Sequence, residues 1–142
     1  MLNFGVGPVM MHQDVLAIGS EQIPYFRTPE FSYLVLENER LLKKLVGAPD
    51  SSRVIFLTSS GTGAMEAVVL NTLTSKDRVL VVNGGSFGMR FKKICDIYGI
   101  PSTELRLGFF ERLTEEHLEP YTDKGFTSLL VNVHETSTGV LY

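Results

Sequence analysis

Cysteine is nearly missing from this chain: Cys95 is the single one in 142 residues. That excludes an internal disulfide framework and suits a reducing compartment. Long apolar runs are missing too, since none approaches the roughly 20 residues that span a bilayer. The start, Met1-Leu2-Asn3-Phe4-Gly5, has no basic stretch leading into an apolar one, so no signal peptide is expected. Positive charge is not in surplus. With 13 Lys and Arg against 16 Asp and Glu, the net charge is -3, which argues against a nucleic-acid or anionic-membrane surface. The longest basic clusters are the pairs Lys43-Lys44 and Lys92-Lys93, which read as solvated helix faces. No Cys/His cluster suggests a metal. No G-x-x-x-x-G-K-[ST] marks a nucleoside-triphosphatase, and no G-x-G-x-x-G turn with a suitably spaced acid marks a dinucleotide binder. What remains is a cytoplasmic, globular chain, 44% hydrophobic and 20% charged, large enough for one core.

The chain alternates between strand and helix patterns. Pro8, Pro24 and Pro29 punctuate an N-terminal arm with a short helix near Gln13–Ser20. A longer helix follows, with Phe31, Leu34, Val35, Leu41, Leu42 and Leu45 near one face and Glu39 facing Lys43 as an i,i+4 pair. Gly47-Ala48-Pro49 stops it. Strands are expected at Arg53–Thr58, Arg78–Val82, Ser102–Leu107 and Phe126–Val133. Helices are expected at Thr62–Leu73, Phe87–Tyr98 and, briefly, Thr114–Leu118. Such alternation predicts an α/β fold: a mostly parallel sheet with helices on both faces. No repeat or linker divides residues 1–142 into two domains.

The most informative stretch runs Phe56-Leu57-Thr58-Ser59-Ser60-Gly61-Thr62-Gly63-Ala64-Met65-Glu66-Ala67. An apolar, β-branched segment collapses into hydroxyl residues and glycines, then restarts at helical spacing. A helix start carries unpaired N–H groups and a partial positive charge, so the turn is suited to a phosphate. An ordinary turn with Ser60 as N-cap explains the same residues. Two further segments are expected to form similar strand–turn–helix ends: Val81-Val82-Asn83-Gly84-Gly85-Ser86-Phe87-Gly88 and Leu130-Val131-Asn132-Val133-His134-Glu135-Thr136-Ser137-Thr138-Gly139. Parallel sheets bind ligands outside the carboxyl ends of their strands, where all three turns should meet.

Together with Gly5-Val6-Gly7-Pro8-Val9 and Phe26-Arg27-Thr28-Pro29-Glu30-Phe31, this ordered set resembles the class V, fold-type-I pyridoxal-phosphate aminotransferases. The nearest branch resembles the alanine–glyoxylate and 2-aminoethylphosphonate–pyruvate transaminases. The resemblance covers nearly the whole chain but only the N-terminal part of such an enzyme, an arm plus an incomplete large domain. It implies a pyridoxal 5'-phosphate cofactor, with Ser60, Gly61 and Thr62 at its phosphate. Phe87 would stack on the pyridine ring, where members often have Trp or Tyr. Thr136 would lie near the ring oxygen, and Gly7 and Pro8 would line the substrate pocket. Phe26 stands before Arg27 where members commonly have His. The resemblance also implies amino transfer from a small donor to a 2-oxo acid or aldehyde, in a homodimer with interfacial Phe4, Val6, Val9 and Met10. The Schiff-base lysine and the carboxylate against the pyridine nitrogen would lie beyond Tyr142. None of Lys43, Lys44, Lys76, Lys92, Lys93 or Lys124 corresponds to that lysine, so the isolated chain is expected to be inactive.

Two other functions fit parts of the sequence. Gly84-Gly85-Ser86-Phe87-Gly88 matches G-x-S-x-G, and Asp123 and His134 follow in the order of a serine hydrolase. A non-catalytic chain that dimerises or complements a partner is the second. Cys95 is expected in the core, on the apolar face of its helix.

Overall fold

A computed structural model describes Leu2–Tyr142 apart from Phe4 and Val6. It divides into two compact units, one ending at Leu57 and the other spanning Thr58–Tyr142.

The first unit holds helices α1 (Gln13–Ile18) and α2 (Pro29–Val46). Thr28 caps α2 by accepting the Phe31 N–H at 3.2 Å, with Pro29 in the first turn. Gly47 ends it in the left-handed conformation (φ 66°) that a residue with a Cβ adopts at a cost. The expected Glu39–Lys43 pair does not form. The nearly buried Glu39 instead binds Arg53 (2.8 Å) and the Val54 N–H (3.2 Å). Lys43 Nζ reaches the carbonyl oxygens of Asp50 (3.0 Å) and Ser52 (3.4 Å). The hydrogen bond from Arg53 holds the Glu39 carboxyl below its ordinary pKa, against the upward push of burial. A returning chain end offers two donors at once, which outcompetes a solvated i,i+4 lysine.

Arg53–Thr58 is not a strand. The segment carries no ladder partner among the described residues, and Ile55, Phe56 and Leu57 are exposed. β-Branched composition favours a pleated surface, but a strand exists only where a neighbour takes its N–H and C=O groups. Of the expected interface residues, Val9 and Met10 are exposed, whereas Phe4 and Val6 lie outside the described residues.

The second unit is built on a parallel sheet of order β2-β1-β3. Central β1 (Val79–Asn83) pairs along its whole length with β2 (Ser102–Arg106) and over Val79–Val81 with β3 (Ser128–Leu130). On one face, Val79, Val81 and Leu130 pack with Met65, Val69, Leu73, Phe91, Ile94 and Cys95. This layer includes α3 (Gly61–Thr72) and α4 (Ser86–Ile97). On the other, Leu80, Val82, Leu105 and Leu107 pack with Leu113, Leu118, Tyr121, Phe126 and Tyr142. That layer includes α5 (Glu115–Leu118) and a 3-10 turn (Glu119–Tyr121). Burial on both faces explains why β1 reads as the unbroken run Val-Leu-Val-Val. The last expected strand, Phe126–Val133, is real only over Ser128–Leu130; it leaves β1 after Val81, although β1 itself continues through Val82 and Asn83 beside β2. Beyond it the chain forms an antiparallel hairpin of β4 (His134–Glu135) and β5 (Val140–Leu141). The expected helix start after Thr136 is therefore a hairpin turn. Thr138 and Gly139 N–H groups bond the Glu135 carbonyl, and Gly139 takes φ 74°.

Candidate functional site

The starts of the two long helices of the Thr58–Tyr142 unit, α3 and α4, are treated differently by the structure. At α4, Glu135 from the hairpin is fully buried and accepts the N–H groups of Phe87 (3.2 Å) and Gly88 (2.9 Å). It also accepts the Ser137 N–H (3.2 Å) and hydroxyl (2.6 Å), while Ser137 Oγ in turn accepts the Ser86 N–H at 2.9 Å. Burial pushes the Glu135 pKa up, but the Ser137 hydroxyl and the three N–H groups outweigh it, leaving the carboxyl below its ordinary value. This helix start already holds its anion. Its glycines follow from the same packing. A Cβ on Gly85 would lie 2.3 Å from Ser137 Oγ and 2.7 Å from the Glu135 carboxyl carbon. One on Gly88 would lie 2.6 Å from both Asn83 Cα and the Val82 carbonyl oxygen.

At α3 the start is open. Ser60 is the N-cap, accepting the Gly63 N–H at 3.3 Å, and its carbonyl takes the Ala64 N–H. The N–H groups of Gly61 and Thr62 have no partner among the described residues. A Cβ on Gly61 would meet nothing within 4 Å, so space stands above the turn. Thr62 Oγ1 accepts a hydrogen bond from Arg90 of α4. The same guanidinium lies over the Phe87 ring, 4.5 Å from its centroid. Thr62 and Phe87, expected at one site from the sequence, are thus joined through Arg90.

Thr136 is half-buried in the hairpin turn, directly after the carboxylate that receives the Phe87 N–H. It makes no side-chain hydrogen bond among the described residues; the hydroxyl that touches α4 is that of Ser137. Gly7 and Pro8 belong to the first unit and are exposed. A cleft also opens at the carboxyl ends of β1 and β2, lined by Asn83, Gly84, Gly85, Met89, Arg106 and Phe109. The hydrolase arrangement does not assemble: no hydrogen bond joins Ser86, Asp123 and His134 among the described residues, and Ser86 and His134 are exposed. Among the described residues, no group of three His, Cys, Asp or Glu side chains is placed to hold a metal ion. No described helix is long and apolar enough to cross a membrane.

No family model matches the chain. Curated relatives and solved structures do. The chain is 40% identical over 105 residues to an uncharacterized aminotransferase of Helicobacter pylori, covering 74% of this chain and 27% of that protein. It is 33% identical over 140 residues to the small subunit of a soluble hydrogenase of a Synechococcus species, covering 95% and 36%. It superposes on the aspartate aminotransferase of subgroup IV from Thermus thermophilus with a TM-score of 0.84 and 32% identity, covering 95% of this chain and 37% of that one.

The fold is that of the aminotransferases.

Further relatives and neighbours include serine–glyoxylate, L-aspartate–glyoxylate, alanine–glyoxylate and pyridoxamine–pyruvate aminotransferases, and the chain spans about a third of the length of the curated relatives it matches. Aminotransferases of this kind use pyridoxal phosphate. The residues present fit its phosphate group: two unpartnered N–H groups, a hydroxyl and a guanidinium converge beside open space at α3. In this aminotransferase fold, Glu135, Ser137 and Arg90 are the residues that sequence reading passed over. Arg90 had a signal, standing one helical turn after the aromatic Phe87. Glu135 had none, because only the hairpin brings it back onto α4.

Proposed function

We propose that residues 1–142 are the N-terminal arm and part of the large domain of a class V, fold-type-I pyridoxal-phosphate-dependent aminotransferase. The complete protein moves an amino group from a small amino donor to a 2-oxo acid or aldehyde, works in the cytoplasm and acts as a homodimer. One observation carries the reading: of two neighbouring helix starts, the fold fills α4 with its own carboxylate and leaves α3 with unpaired donors. An unpaired helix start within a satisfied frame suits an anionic ligand.

In this reading each residue has a distinct task. The Gly61 and Thr62 N–H groups and the Thr62 hydroxyl bind the phosphate, and Ser60 shapes the turn that aims them. The Phe87 ring gives the planar cofactor an apolar wall, and stacked rings add about 0.5–1.5 kcal/mol beyond burial. Glu135 fixes the backbone from which Phe87 projects. The Thr136 hydroxyl orients the ring oxygen, and Gly7 and Pro8 border the substrate. When bound, the cofactor supplies an electron sink for bond cleavage at the substrate's amino-bearing carbon. The Schiff-base lysine is none of the six lysines of this chain, so residues 1–142 alone do not turn over.

The test is a denaturing intact mass of the protein from its native source after borohydride reduction. One phosphopyridoxyl group on a lysine outside residues 1–142 supports the proposal. A protein that takes up no pyridoxal phosphate sinks it.

A further inference from the structure

We infer that Arg90 is the residue with which this site recognises the phosphate of its ligand, and so selects the phosphorylated form of the cofactor over the unphosphorylated one. This role rests on the cofactor reading above. Three observations converge on it. The half-buried guanidinium has no carboxylate partner among the described residues, although six other ion pairs form there. Its contacts are the Thr62 hydroxyl and the Phe87 ring, two residues of the same site. At the helix start that carries this Thr62, the Gly61 and Thr62 N–H groups have no partner among the described residues.

A guanidinium has five donors in one plane, and a single hydroxyl oxygen leaves most of them unused. The contact over the Phe87 ring and the hydrogen bond to Thr62 hold the guanidinium in place, so less side-chain freedom remains to be lost when an oxyanion arrives. The nearest acid on the facing helix, Glu66, one turn beyond Thr62, is occupied by the Tyr98 hydroxyl. The arrangement therefore lacks one thing: an anion with several oxygens, at the place where α3 presents its N–H groups. A phosphate dianion meets both needs through bidentate, charge-assisted hydrogen bonds. Lysine at position 90 would keep the charge but lose the stacking and the fork.

The experiment uses the natural protein, in the length its source makes, stripped of cofactor. Binding of pyridoxamine 5'-phosphate and of pyridoxamine is measured by calorimetry; neither ligand carries an aldehyde, so no lysine chemistry enters. Arg90→Gln is expected to weaken the phosphorylated ligand about 10- to 100-fold and to leave pyridoxamine within about twofold. Arg90→Lys is expected to fall between Arg90→Gln and the unsubstituted protein, and it covers the case in which Arg90→Gln fails to fold. An equal loss for both ligands would make Arg90 a structural clamp of α3 to α4 and overturn the inference. So would unchanged binding. If the unsubstituted protein itself fails to prefer the phosphorylated ligand, the cofactor reading falls and takes this role with it.

Discussion

Removing the Glu135 carboxylate tests the internal anion at α4 directly. In Glu135→Ala, the buried N–H groups of Phe87 and Gly88 lose their acceptor, and Ser137 loses the partner of both its N–H and its hydroxyl. Each buried donor left unsatisfied costs about 1–3 kcal/mol, and loss of a helix cap about 0.5–2 kcal/mol. These overlap, and deleting a buried charge also relieves its own desolvation. A net loss of about 2–5 kcal/mol follows, and at a slope of about 2 kcal/mol per molar the urea midpoint falls by about 1–2.5 M. Far-ultraviolet circular dichroism during urea titration reads it. Acid supplies a second arm. The folded Glu135 pKa lies below its ordinary 4.5, so its contribution is complete above that value and is lost as the pH falls through the lowered folded pKa. The gap between the native protein and Glu135→Ala should stay level from neutral pH to about 5 and narrow below it. Glu135→Gln should lose an intermediate amount, because its amide nitrogen would face a backbone donor, and it should lack this pH dependence. A loss under about 1 kcal/mol for Glu135→Ala, or a gap that widens in acid, would refute the reasoning.

Gly88→Ala should cost about 1–3 kcal/mol or more in the same titration, because its Cβ meets the backbone of Val82 and Asn83 rather than a movable side chain. Ser60→Ala should cost about 1 kcal/mol through loss of the α3 cap, and should weaken pyridoxamine 5'-phosphate in calorimetry. Glu39→Ala should lower the thermal midpoint more than Lys43→Ala, since Glu39 and not Lys43 receives both Arg53 and the Val54 N–H.

Helix positions were legible from spacing and caps. Thr28-Pro29 opens α2 and Gly47 closes it, and α3 and α4 begin within one residue of expectation. The parallel sheet followed from alternating patterns, and the apolar runs of β1 told that both its faces are covered. The α3 start at Ser60-Gly61-Thr62 and the place of Phe87 in the first turn of α4 were legible because both are local features. The errors have a common cause. Arg53–Thr58 has the composition of a strand yet no ladder partner among the described residues, while Phe126–Val133 leaves β1 after Leu130 and turns into the hairpin.

What the sequence by itself determined is therefore everything set by short-range physics: where helices start and stop, which segments favour extension, and which turns expose backbone donors. Only the tertiary structure decided which of those donors stay free. Glu135 is brought back from the hairpin, 47 residues after Gly88, and fills one helix start, whereas the other is left open beside Arg90. Spacing along the chain cannot distinguish the two, because a buried acceptor satisfies a donor by position in space, and that position exists only once the sheet has brought the hairpin onto α4.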